Sequence, residues 1–175
     1  LSVLPQRGSI VERISVSELV QTVFVRTAIE KECVLNITKL DERTKRHCLN
    51  QIEKVLDQQH NISHDDNLKS NYLSLDDLFH ERLCALSNAP MAWNTIQSIK
   101  GQMDRIRFLS FETEGHADGV THEHDEIFER LKANDIDGTL ELLTEHLSQI
   151  IKTHKPIMKR YSDWFSDGSS SFSDD

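Results

Sequence analysis

At 175 residues the chain suits one domain with a sizeable core, because a domain of about 150 residues hides roughly 70% of its unfolded surface. Hydrophobic residues make up 37% and charged residues 28%, with six Gly and three Pro, a balance that favours long helices over a turn-rich β architecture. The formal charge of −9 repels phosphate backbones, so this segment taken alone is a poor nucleic-acid binder. Cys33, Cys48 and Cys84 are odd in number, widely spaced and free of any CxxC pair, which reads as reduced, mostly buried thiols of a cytoplasmic protein. No apolar run approaches about 18 residues and no charged-then-apolar leader is present, so neither a membrane span nor a signal peptide is expected.

Residues 1–14 differ in pattern from the rest of the chain. Two short β-leaning pieces flank Arg7-Gly8, predicting a small hairpin with nothing of its own to pack against, the end of a preceding unit. From Ser17, which can cap a helix, apolar positions recur at Leu19, Val20, Val23, Phe24, Ala28, Val34, Leu35 and Ile37. Asp41 caps a second helix carrying Leu49, Ile52 and Leu56. After a polar stretch at 58–66, a third helix is predicted over about 68–87, striped by Tyr72, Leu75, Phe79, Leu83 and Leu86. Asn88 and Pro90 suit a stop and restart before a fourth helix with Trp93, Ile96, Ile99, Met103, Ile106 and Leu109. A loop over 112–119 leads to a fifth with Ile127, Phe128 and Leu131. Asp135 then caps the longest helix, whose stripe runs from Ile136 to Tyr161 and meets Pro156, a residue able to kink it. The polar tail at 166–175 is expected to stay disordered without a partner.

Asp76 and His80, four residues apart on the third helix, project from one face one turn apart. By spacing alone a helix-surface hydrogen bond between them is the simpler reading. His122 and His124 cannot share a helix face, and His124, ahead of Ile127, Phe128 and Leu131, is the inward one. His146 flanks Leu143, Leu147 and Ile150, and His154 in the apolar stripe competes for any ligand role. One carboxylate and three imidazoles would suit a divalent transition metal such as Zn²⁺, Ni²⁺ or Mn²⁺, zinc favoured, with positions left open. There is no HExxH, and no histidine has Glu three residues before it, which removes a helical zinc hydrolase and a di-iron carboxylate bundle. An open metal gripping a small anion remains, and the anion needs a counter-charge. Arg26 and Arg105 are candidates, with Arg107 beside them. By pattern alone an ion pair with Glu30 for Arg26 and a solvated face for Arg107 are the simpler readings.

Several segments together resemble the C-terminal effector-binding domain, called FCD, of GntR-type bacterial transcriptional regulators in the FadR subfamily. Pro5-Gln6-Arg7-Gly8 is similar to the end of that family's winged helix-turn-helix. Leu75 to Leu83 resembles its Asp-x-x-Phe-His-x-x-Leu segment. Val25-Arg26-Thr27-Ala28-Ile29-Glu30, Met103-Asp104-Arg105-Ile106-Arg107, Glu123-His124 and His146-Leu147 resemble further landmarks in order. Asn88-Ala89-Pro90 departs from the usual Gly-Asn-Pro, and Asn134 stands where Gly is usual before Asp135, a position that Asn's tolerance of left-handed backbone suits.

The resemblance implies an all-α, antiparallel bundle of six or seven helices enclosing a cavity, with residues 1–14 as wing remnant, 15–165 as the effector domain and 166–175 as tail. It implies metal ligation by Asp76, His80, His124 and His146, and a small carboxylate effector against the metal with Arg26 as its partner. A homodimer would reach operator DNA only through the winged-helix domain that this chain lacks. Two other readings stand beside this one: a metal-dependent enzyme using Glu123 or Asp77 as general base, and a dimerisation module with a vestigial site.

Overall fold

The computed structural model describes residues 2–4, 8–62, 68–111 and 116–166. Strands β1 (Ser2–Leu4) and β2 (Gly8–Ile10) pair antiparallel, Val3 opposite Ser9, as the expected hairpin. All remaining regular structure among the described residues is helical, which makes the domain all-α.

Helix α1 (Val16–Leu35) is capped two residues earlier than the sequence suggested. Ser15 has extended backbone and its hydroxyl accepts from the Glu18 amide at 3.2 Å, while Ser17 lies inside the first turn. The chain then tightens into a 3-10 turn over Asn36–Lys39, which delivers Ile37 to the core. Asp41 caps α2 (Glu42–His60) as expected, accepting from the Arg43 and Thr44 amides. Helix α3 (Leu68–Cys84) buries Tyr72, Asp76, Phe79, His80 and Leu83, a repeat of three and four that draws the Asp-His pair inward along with the apolar stripe.

The expected fourth helix is two, α4 (Met91–Ile99) and α5 (Gly101–Ser110), divided at Lys100. Two features favour the break there. Gly101 lowers helix persistence, and the buried Lys100 ammonium is held by Asp77 at 2.7 Å and Asp104 at 2.6 Å. Helix α6 (His116–Lys132) starts before the predicted loop ends, so Gly119 is helical, and residues 112–115 of that loop lie outside the described residues. Asn134 takes the left-handed conformation, φ 62°, that joins α6 to α7 (Ile136–Arg160). Asp135 caps α7 through the Gly138 amide, and α7 continues through Pro156.

Two large apolar clusters form the interior. One packs Val34 and Ile37 with residues of α2, α3, α6 and α7 around Phe79, Leu83, Phe128 and Leu143. The other gathers Leu19, Val23, Met103 and Ile106 with Ile14 and Phe165. Beyond α7, Phe165 and Ile14 form a parallel β-bridge, with the Ile14 amide donating to the Trp164 carbonyl at 2.7 Å and the Ser166 amide to the Ile14 carbonyl at 3.0 Å. The tail expected from Ser166 therefore begins as paired chain, and residues 167–175 lie outside the described residues. Polar side chains from α1, α3 and α6 interrupt this apolar interior, Arg26, Glu30, Asp76, His80 and His124 all being buried.

Candidate metal and effector site

Helices α3, α6 and α7 bring Asp76, His80, His124 and His146 together, one ligating atom of each lying within 4.8 Å of the others. The Nε2 atom of His146 is 3.2 Å from that of His80 and 3.3 Å from that of His124. The Asp76 carboxylate lies 3.9 Å from His80 Nε2 and 3.7 Å from His124 Nε2. His122 is exposed, as the two-residue spacing required. His154, the rival ligand, is buried elsewhere and its Nδ1 donates to the Ile151 carbonyl one turn back.

Each imidazole is held from behind by an acceptor. His80 Nδ1 meets Glu30 Oε2 at 2.7 Å, His146 Nδ1 meets Glu123 Oε2 at 2.7 Å, and His124 Nδ1 meets Gln59 Oε1 at 3.0 Å. An acceptor on Nδ1 fixes the proton there and leaves Nε2 as a lone pair. Three Nε2 lone pairs thus converge beside a carboxylate, a donor set that repels itself unless a cation is shared among them. Tetrahedral or octahedral ligands at about 2.0–2.1 Å sit roughly 3–3.4 Å apart, close to the nitrogen spacings here, so the residues fit a divalent transition metal. Phe79 stacks on His124, ring centroids 3.9 Å apart, and restrains that ring further.

Electrostatics keep the set ready. Burial lowers the His80 imidazole, aided by Arg26, and burial with His146 beside it lowers His124 well below the ordinary value, so both favour the neutral, ligating form. Burial would raise the Asp76 carboxyl, but Arg107, His80 and His124 outweigh it and hold it well below the usual carboxylate range. Burial would likewise raise Glu30, yet Arg26 and His80 hold it down at about 2.

The cluster opens on a cavity of about 310 Å³ lined by Asp76, His80 and His146 and also by Arg26, Arg107 and Glu123. Arg26 donates from Nε to Glu30 Oε1 at 2.5 Å and from Nη1 to Met103 Sδ at 3.0 Å. Its buried Nη2 has no hydrogen-bond partner. The ion pair with Glu30 therefore exists, and it aims the arginine at the cavity. Arg105 does not line the cavity and gives way to Arg107. Arg105 donates instead to the Glu12 carbonyl at 2.7 Å, whereas Arg107 binds Asp77 and Asp104, both at 3.0 Å, and Asp76. The spacing Met103, Ile106, Arg107 and Ser110 is an inward face at three, four and seven, a signal that singles out Arg107. Sequence reasoning also missed Gln59, and placed Glu30 only beside Arg26. Glu123 and Asp77, the rival general bases, are committed to His146 and to the Lys100 and Arg107 cations.

Residues 21–149 match the FCD domain family. The HTH-type transcriptional repressor RspR of Escherichia coli (strain K12) is 32% identical over 167 residues, covering 95% of this chain and 72% of the repressor. An uncharacterized HTH-type transcriptional regulator in an unstable DNA locus of Streptomyces ambofaciens is 25% identical, with 89% of this chain and 66% of the regulator covered. No helix among the described residues is long and apolar enough to cross a membrane. With a bundle of this architecture and a match across most of its length, the chain belongs to the FCD domain family of GntR-type, helix-turn-helix transcriptional regulators.

Proposed function

We propose that this chain is the ligand-sensing domain of a cytoplasmic transcriptional regulator, holding a divalent transition metal, zinc favoured, on Asp76, His80, His124 and His146. A small carboxylate effector would lie between that site and Arg26. The observation that carries the reading is the pairing of three converging Nε2 lone pairs with an unsatisfied, buried Arg26 Nη2 on the wall of the same cavity. A bound metal supplies positive charge and open coordination positions to an anion. The protein's own groups do the rest: Glu30, Gln59 and Glu123 orient the imidazoles, and Arg26 offers a donor to a carboxylate oxygen.

Regulation would follow from differential binding. An effector that draws α1, through Arg26, toward α3, α6 and α7 shifts the population toward one packing of these helices. A homodimer would pass that shift to two winged helices on a palindromic operator, through a domain outside this chain. Support for a dimer comes from Val20 and Phe24, one turn apart on α1 and exposed by 44% and 74%. Native mass spectrometry with metal analysis tests the reading: one metal per chain in a dimer is expected, and replacing both His124 and His146 by Ala should abolish it. Retention of metal by that double variant would overturn the site. Tight sequence-specific DNA binding by this chain alone would overturn the sensor role.

A further inference from the structure

We propose that Cys33 and Cys84 form a reversible dithiol site, oxidised by a hydroperoxide to a disulfide that staples α1 to α3 beside the Glu30–His80 contact. The site lies outside the metal and effector cavity, and its chemistry does not depend on the function proposed above.

Position is the first support. Cys33 and Cys84 are free thiols that share one small buried cluster with Ile96. Ser87 ties them together, its hydroxyl oxygen lying 3.2 Å from Cys33 Sγ and 2.8 Å from the Cys84 carbonyl oxygen. The two thiols also hydrogen-bond to each other. Glu30 and Cys33 are one turn apart on α1, and His80 and Cys84 are one turn apart on α3. The thiol pair is thus the next rung of the α1–α3 seam after the 2.7 Å contact between Glu30 and His80. Both cysteines are buried, but each lies in the last turn of its helix, α1 ending at Leu35 and α3 at Cys84. Helix ends open most easily, and a peroxide is little larger than water.

The environment divides the chemical roles. Hydrogen bonds from Cys84 and Ser87 outweigh burial and hold the Cys33 thiol below its ordinary value, whereas its bond to Cys33 and burial push the Cys84 thiol up. Cys33 is therefore the attacking sulfur and Cys84 the resolving one. At Cys48, which packs against the other cluster around Phe79, burial raises the thiol. The Cys33 thiolate attacks one peroxide oxygen, the O–O bond breaks, and the other oxygen leaves as water or an alcohol with the proton that the thiol gave up. Cys84 sulfur then attacks the resulting sulfenic acid. The S–S bond forms, the S–O bond breaks, and hydroxide leaves as water with the Cys84 proton. Two electrons pass from the sulfurs to the peroxide, and an external dithiol returns them by exchange. The disulfide would fix the two helices one turn from the Glu30 carboxylate that orients both His80 and Arg26.

Treatment of the full chain with hydrogen peroxide, then alkylation and peptide mass mapping, tests the site. The expected product is a linked Cys33–Cys84 peptide pair, two hydrogens lighter than the separate peptides and split by dithiothreitol, with Cys48 still open to alkylation. Cys84→Ser should instead accumulate a sulfenic acid at Cys33, trapped by dimedone, and Cys33→Ser should give no linked pair. A wild-type chain that yields no linked pair, or one that includes Cys48, would overturn the proposal. Chelator competition on the oxidised and reduced chains reads the effect on the neighbouring rung, which rests on the metal reading: zinc affinities should differ by about tenfold. Equal affinities would overturn that coupling, whereas a reduced chain that binds no zinc would overturn the metal reading itself, a separate outcome.

Discussion

Glu30 accepts from His80 Nδ1 at 2.7 Å through one carboxylate oxygen, while the other accepts from Arg26. A single buried carboxylate on α1 thus fixes the tautomer of a candidate metal ligand on α3 and the direction of the candidate effector anchor on its own helix. Replacing Glu30 by Gln keeps the shape and removes the charge. Metal affinity should fall about 10- to 100-fold, read by competition with a chelator, as for other partners that orient a ligating histidine. An affinity within about twofold of the parent would show that Glu30 serves the fold alone.

Acid should weaken the fold in two stages. His80 and His124 have folded values below those of the unfolded chain, so as pH falls below about 6.5 the unfolded state takes up protons first and stability declines. Glu30, held down at about 2 when folded, contributes stability present above its ordinary value near 4.5 and lost as pH falls from there toward 2. Denaturant midpoints of metal-free protein from about pH 8 to about pH 3 should show a shallow decline and then a steeper one. Bound metal should deepen the first stage, because ligation requires neutral imidazoles.

Asn134 offers a test of the α6–α7 connection. Its φ of 62° is tolerated by Asn and costs Gly nothing, so Asn134→Gly should leave stability unchanged or raise it by up to about 1 kcal/mol. Asn134→Ala should lower it by about 1 kcal/mol. Thermal melts of the pair that differ in the opposite order would contradict the left-handed assignment.

Phe24→Glu addresses the proposed dimer. A carboxylate on the exposed face of α1 should shift a sedimentation profile from dimer toward monomer while metal content stays at one per chain, since Phe24 is absent from the cavity wall. A dimer unaffected by the change would place the interface elsewhere.

Stripes at three and four made most helices legible, because burial demands them and capping residues such as Asp41 and Asp135 mark their starts. The break at Lys100 was hidden by the same rule. Ile96, Ile99, Met103 and Ile106 continue the repeat across it, and the cause lies in Asp77, a residue 23 positions away. The four residues expected as ligands do come together, one ligating atom of each within 4.8 Å of the others, but the spacing of Asp76 and His80 alone did not require it. Gln59 was not legible because its role depends on His124 lying against it, a contact between helices 65 residues apart in the chain. Arg105 and Arg107 differ by two positions, which on a helix is nearly the width of the cylinder, and only the register of Met103 and Ile106 separates them.

The pairing of Ile14 with the segment after α7 has a mechanical meaning. The chain enters α1 at the point where it leaves α7, so the helix bearing Arg26 and the helix bearing His146 share one fastening. Between that fastening and β2 lie only residues 11–13, a leash of roughly 10 Å at full stretch. The hairpin is therefore tied to the point where α1 and α7 are joined, with little slack between them.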